Sequence, residues 1–174
     1  MLNVIDVANY FLKKDKGGEL FNKKLITRSG NTFYESNTRM NIYIQLTQNV
    51  YIAKIGKKLI DVDFYAYDNG VVALEIQGHY QYLLSNINNV KDFPFSKEEK
   101  DFLDKMYVAL ENAGIDELIE ISREDPAWIE KSKHYGKGKQ KMDSLKSKDL
   151  YKRKYANFIR AFEKIDLNEV KHNP

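Results

Sequence analysis

Apolar and polar positions follow two rhythms along this chain, and the change between them divides it into elements. Over residues 4–15, Val4, Val7, Ala8, Phe11 and Leu12 recur at the spacing that turns one stripe of a helix toward a core. Asn3 can accept hydrogen bonds from the first free amides, Asp6 and Lys13, Lys14 and Lys16 suit the two ends of the helix dipole, and Gly17-Gly18 ends the run. Leu25-Ile26-Thr27 and Thr32-Phe33-Tyr34 flank Arg28-Ser29-Gly30-Asn31 and read as a small β-hairpin. A second helix is expected from Ser36 or Asn37 to Ile55, with Met40, Tyr43, Ile44, Thr47, Val50 and Tyr51 on one stripe and Gly56 as its stop. Its β-branched and aromatic content is poor for a helix, so packing has to hold it. From Leu59 the period drops to two. Ile60, Val62, Phe64 and Ala66 alternate with Asp61, Asp63, Tyr65 and Tyr67, which predicts one extended segment. Asp68-Asn69-Gly70 supplies a turn, and the apolar stretch from Val71 to Ile76 leads into a helix through Tyr80, Leu83 and Leu84.

The strongest helix signal follows Pro94. Ser96 and Glu99 have the spacing of a capping box, Phe102, Leu103, Met106, Leu110 and Ala113 give the stripe, and Gly114 closes it. Asp116 is expected to cap a short helix through Leu118, Ile119 and Ser122. Asp125 is expected to cap another, with Pro126 in the first position and Trp128 and Ile129 turned inward. Residues 131–148 are rich in lysine and poor in apolar groups, which predicts an exposed loop. A last helix over residues 148–165 carries Tyr151, Tyr155, Phe158, Ile159, Phe162 and Ile165 on one face. The pattern as a whole predicts a mainly α (α+β) fold: a compact helical domain with a small β-hairpin and strand element and a C-terminal helix. Residues 1–130 form the domain, with the hairpin inserted at about 18–35. Residues 131–174 form a basic loop and helix packed on it.

At 174 residues the chain can bury a core without a metal or disulfide. Cysteine is absent, so there is no thiol nucleophile and no Cys-based zinc site, as suits a reducing cytoplasm. No apolar run approaches the ~20 residues that span a membrane, and the first residues lack the core of a signal peptide, so a cytoplasmic protein without membrane contact is expected. The net charge is only +3, but residues 131–154 hold ten Lys or Arg against Asp143 and Asp149, a local +8 that leaves −5 on the remainder. That stretch can meet an acidic protein or nucleic acid.

Catalytic patterns are missing. There is no Gly-x-Ser-x-Gly elbow, no phosphate-cradling Gly-x-x-x-x-Gly-Lys loop and no His-Glu-x-x-His spacing, and His79, His134 and His172 lie far apart. No enzyme activity, cofactor or metal is expected. Asp61, Asp63 and Asp68 lack the alternating loop of a calcium site and read as solvated. Phe64 belongs with Ile60 and Val62 in the core. Tyr65 and Tyr67, with Asp61, Asp63, Asp68 and Asn69, are the candidates for gripping a partner. Lys137, Lys139, Lys141, Lys146, Lys148, Lys152, Arg153 and Lys154, with Tyr135 and Tyr151 between them, either track phosphates or an acidic partner, or form a solvated face.

Two stretches carry a family resemblance. One runs Gly56, Lys57, Leu59, Asp61, Asp63, Phe64, Ala66, Tyr67, Gly70, Val71 and Val72, preceded by Gln48, Tyr51, Ile52 and Ala53. The other runs from Glu117-Leu118 to Ser122-Arg123-Glu124-Asp125-Pro126-Ala127-Trp128. In order and spacing they resemble the signature stretches of the SocA-like antitoxin family, also called the Panacea domain, over about residues 3–17 and 36–130. Tyr67 stands where that family usually has Trp, Val71 where it has Pro, and Arg123 where it has His. The resemblance implies a helical domain that neutralises a toxin by direct binding, or in some members hands it to a protease. The basic segment suggests a different-class alternative, an anti-defence (anti-CRISPR) protein of a phage or mobile element that blocks a nucleic-acid-guided nuclease.

Overall fold

The computed structural model describes residues 1–22, 25–28, 31–68, 70–133 and 140–170. Leu2–Asn3 is a short strand, β1, and Val4–Lys14 the helix α1, whose first amides, those of Ile5 and Asp6, donate to Asn3 Oδ1 as the sequence predicts. The chain then turns on Asp15, whose carboxylate accepts from the amides of Glu19, Leu20 and Phe21. Leu25–Arg28 (β2) and Asn31–Tyr34 (β3) form the expected antiparallel hairpin, with Leu25 opposite Tyr34; Ser29 and Gly30 lie outside the described residues.

Glu35–Ile55 is α2, ended by Gly56 in the left-handed conformation at φ 81°. A half-buried stripe was the expectation here. Instead every residue from Arg39 to Val50 is buried, because neighbours cover α2 on all sides and it forms the axis of the molecule. Ser36 does not act as its cap, since its hydroxyl donates to the Asn22 carbonyl.

The extended segment is broken in two. Ile60–Asp61 (β4) pairs in parallel with β1, Leu2 opposite Ile60, whereas Phe64–Tyr67 (β5) pairs antiparallel with Gly70–Ala73 (β6), Tyr65 opposite Val72. Gln48 of α2 holds the start of β4, its side-chain amide accepting from the amides of Leu59 and Ile60 and donating to the Ile60 carbonyl. Ile60, Val62 and Phe64 still all point into the core.

Leu74–Asn86 (α3) and Lys97–Leu110 (α4) follow, the latter with the full Ser96–Glu99 capping box. Ile115–Arg123 is α5. Its cap is Gly114, and Asp116 sits in the first turn rather than capping. Pro126–Ser132 is α6, capped by Asp125 as expected; Trp128 is half-buried, while Ile129 is exposed rather than inward.

The lysine-rich stretch is only partly an open loop. Residues 134–139 lie outside the described residues, but Gln140–Lys141 forms β7 on the free edge of β5, and residues 144–147 make a 3-10 turn with Met142, Ser144 and Ser147 buried. The single last helix is two: Lys148–Lys154 (α7) and Ala156–Glu163 (α8), with Leu167–Val170 (α9) beyond. Tyr155, at φ −94° and ψ 6°, is the joint. The break turns Tyr151 and Tyr155 toward α2, and lets Phe162 reach Phe102 of α4, with ring centroids 5.2 Å apart. The result is a mainly α fold with, among the described residues, three small sheets, strand order β6-β5-β7 in the largest.

Candidate functional site

The two resemblance-bearing stretches meet in space, and polar side chains of α2 are what join them. Asn41, Gln45, Gln48 and Asn49 are almost wholly buried, and the cost of burying amides demands partners. Asn41 Oδ1 accepts from the Ala73 amide at 2.7 Å, holding β6. Gln45 accepts from Ser122 Oγ at 2.6 Å and donates to Asp125 Oδ2 at 2.8 Å. Asn49 donates to the same carboxylate oxygen at 2.6 Å. The other oxygen, Oδ1, accepts from the Tyr151 hydroxyl at 2.9 Å and from the Ala127 amide at 2.7 Å. Asp125, fully buried, is therefore more than a helix cap: α2, α6 and α7 all donate to it.

From this hub the β5–β6 turn is gripped from inside. The Trp128 indole N–H reaches the carbonyls of Tyr67 at 3.0 Å and Gly70 at 3.2 Å, and Arg123 donates through Nε to the Asp68 carbonyl at 2.8 Å and also through Nη2. Ser122 Oγ accepts from the Val71 amide. Gly70 has φ 108°, and a Cβ there would lie 2.8 Å from Ser122 Oγ. Gly70→Ala is thus expected to lose about 1–3 kcal/mol, combining backbone strain and a steric clash, as measured by urea unfolding. A loss under about 0.3 kcal/mol would mean the clamp is slack.

The predicted contact residues divide. Tyr65, Tyr67 and Asp68 sit together on the clamped turn, the tyrosines half-buried and Asp68 exposed. Asn69 lies outside the described residues. Asp61 belongs to the separate β1–β4 pair, a consequence of the strand break. Asp63 is engaged by Lys141 Nζ at 2.6 Å, and this hydrogen bond raises the lysine's pKa above its ordinary value.

That ion pair also settles where the basic segment starts, alongside the acidic strand. Lys154 pairs with Glu124 at 3.0 Å, and Lys146 and Lys152 lie 3.7 Å from Asp143 and Asp149. Lys148 and Arg153 are exposed, and Lys137 and Lys139 lie outside the described residues. Among the described cations the segment thus spends much of its charge within the chain.

Sequence reasoning missed Gln45, Asn49 and Tyr151 as a connected set. The available signal was the run of amide side chains at Asn41, Gln45, Gln48 and Asn49, spaced by three and four inside an otherwise apolar helix. Among the described residues no three His, Asp or Glu side chains converge as metal ligands would. A cleft between α2, β6 and α3, lined by Asn37, Thr38, Asn41, Val71, Val72 and Gln77, has a volume of about 50 Å³, room for a water or two but not for a metabolite. No described helix is long and apolar enough to cross a membrane. Compared with known proteins, the chain matches no family model, and no curated protein or solved structure is significantly similar to it.

Proposed function

We propose that the protein acts by stoichiometric binding to another protein, as an antitoxin-like inhibitor, and that the β5–β6 turn with Tyr65, Tyr67 and Asp68 is the gripping surface. The observation that carries this reading is the clamp. Arg123 and Trp128 take the carbonyls of Tyr67, Asp68 and Gly70, so these residues of the turn are held before any partner arrives and lose little freedom on binding. Half-buried tyrosines beside an exposed carboxylate have the composition of an interface anchor with a polar rim. The resemblance to the SocA-like family leads to the same region, and there Arg123 performs a holding task at a position where that family usually carries His.

The pairing of Lys141, Lys152 and Lys154 with acidic neighbours favours this over a nucleic-acid competitor, since a lysine already paired releases fewer counterions on meeting a phosphate. In the test, the tagged full chain isolates its partner from source cells in parallel with a Tyr65→Ala, Asp68→Lys variant. The variant is expected to weaken affinity at least about tenfold while its melting temperature stays within about 2 °C. Undiminished binding by the folded variant, or tight binding of RNA or DNA that falls steeply with salt and needs no protein, would contradict the reading.

A further inference from the structure

We propose that residues 140–163 are a releasable strap: β7, α7 and α8 leave the rest of the molecule as one unit while α1 to α6 stay folded. The inference stands whatever the partner turns out to be.

Its ground is the character of the surface that the strap covers. α2 meets apolar neighbours such as Val7, Phe11, Leu103 and Met106 and holds β4 and β6 through Gln48 and Asn41, and under the strap it presents a further polar patch, Asn49 and the Gln45–Asp125 pair. The strap answers with hydroxyls: Tyr151 donates to Asp125, Tyr155 accepts from Asn49 at a long 3.4 Å, and Ser144 and Ser147 are buried beside them. Asn49 Oδ1, also buried, has no hydrogen-bond partner among the described residues, so the contact is incompletely satisfied when closed.

Release leaves the body nearly intact. Of the four donors to Asp125, three belong to the body, from Gln45, Asn49 and the Ala127 amide, and water can replace the fourth. The remaining ties are two short strands joined through Gln140 and Lys141, the Met142 amide on the Phe64 carbonyl, the solvent-exposed ion pairs Lys141–Asp63, Lys154–Glu124 and Lys54–Glu163, the Lys105 ammonium on the Glu163 carbonyl, and Lys54 and Lys105 over the Phe162 ring. The buried apolar anchors of the strap are Met142, Tyr151, Tyr155 and Phe162. A segment held in this way belongs at the low-stability end of a native structure. Its departure uncovers the edge of β5, next to the clamped turn, and a polar groove ending on Asp125, a place where an incoming extended segment could add to the sheet.

Hydrogen exchange of the intact protein, followed by mass spectrometry at several subdenaturing urea concentrations, tests this. The amides of Met142, Tyr155 and Ile159, each bonded within the strap or to β5, are expected to exchange together and at least about 100-fold faster than those of α2. Tyr151→Phe, which removes only a hydroxyl, is expected to speed exchange across 140–163 about tenfold, with the strap still exchanging at least about 100-fold faster than α2. Protection of the strap equal to that of α2, fast exchange in α8 alone, or unchanged exchange across 140–163 in Tyr151→Phe would each overturn the proposal. The wild-type measurement decides by itself if the variant fails to fold.

Discussion

Asp125→Ala is expected to cost about 3–5 kcal/mol, a large part of the stability of a domain this size. The change deletes one carboxylate, but four donors lose their acceptor at once: the amides of Gln45 and Asn49, the Tyr151 hydroxyl and the Ala127 backbone amide. Each sits away from water, and an unsatisfied buried donor costs about 1–3 kcal/mol. Asp125→Asn should be milder yet still destabilising, because an amide can present its oxygen to only one side of the hub and faces donors with its nitrogen on the other. Urea unfolding by circular dichroism measures both. The order Asp125→Ala, then Asp125→Asn, then Tyr151→Phe at about 1 kcal/mol is the expected ranking. If Asp125→Ala unfolds with the same midpoint as the parent, the hub is a bystander and the clamp has no anchor.

The second large effect is expected in alkali. Burial pushes the phenols of Tyr10, Tyr43, Tyr80, Tyr151 and Tyr155 well above their ordinary value of 10.0, and Tyr107 is pushed up to about 12. For Tyr151 and Tyr155 the nearby Asp125 adds to the effect of burial, and for Tyr10 the hydrogen bond to Asp104 does so. A phenol raised in the folded state keeps its proton after the unfolded chain has released it. Its stabilisation is therefore complete below about pH 10 and is lost as pH climbs from there toward the folded value, by about 1.4 kcal/mol per pH unit for each such group. With several groups acting together, a cooperative alkaline collapse is expected above about pH 10.5. Absorbance of tyrosinate near 295 nm should rise together with loss of far-ultraviolet dichroism. A smooth titration of all tyrosines with the helices intact would show that these rings reach solvent in the folded protein.

Apolar periodicity made α1 and α4 legible because in each of them one face meets the core and the other meets water, and the caps stand in the sequence as Asn3 and the Ser96–Glu99 pair; the hairpin was legible from its composition instead. It failed wherever the packing is polar. The all-round burial of α2 was hidden by Asn41, Gln45, Gln48 and Asn49, which break the stripe yet are the residues that hold the sheet and α6. Met142 and Leu145 are the large aliphatic residues of the lysine-rich stretch, and the burial of Met142 with Ser144 and Ser147 depends on a distant sheet edge that no local pattern displays. The joint at Tyr155 was invisible for a related reason. Tyr151 and Tyr155 answer to Asp125 and Asn49, whereas Phe162, with Phe158 stacked on it, answers to Phe102 of α4, and one straight helix cannot serve both. The candidate contact surface was legible in part. Tyr65, Tyr67 and Asp68 do stand together, but the alternation that also included Asp61 took no account of pairing partners: β4 pairs with the distant β1 and β5 with β6, so the two stretches belong to different sheets.

Calorimetric titration of the purified full-length chain with its isolated partner, with intact masses of both recorded afterwards, tests most directly the claim that this protein grips rather than transforms. The expected result is saturation near one to one, with neither chain altered in mass and the heat lost when Tyr65→Ala and Asp68→Lys are combined. Modification or cleavage of the partner by a small fraction of an equivalent would contradict it.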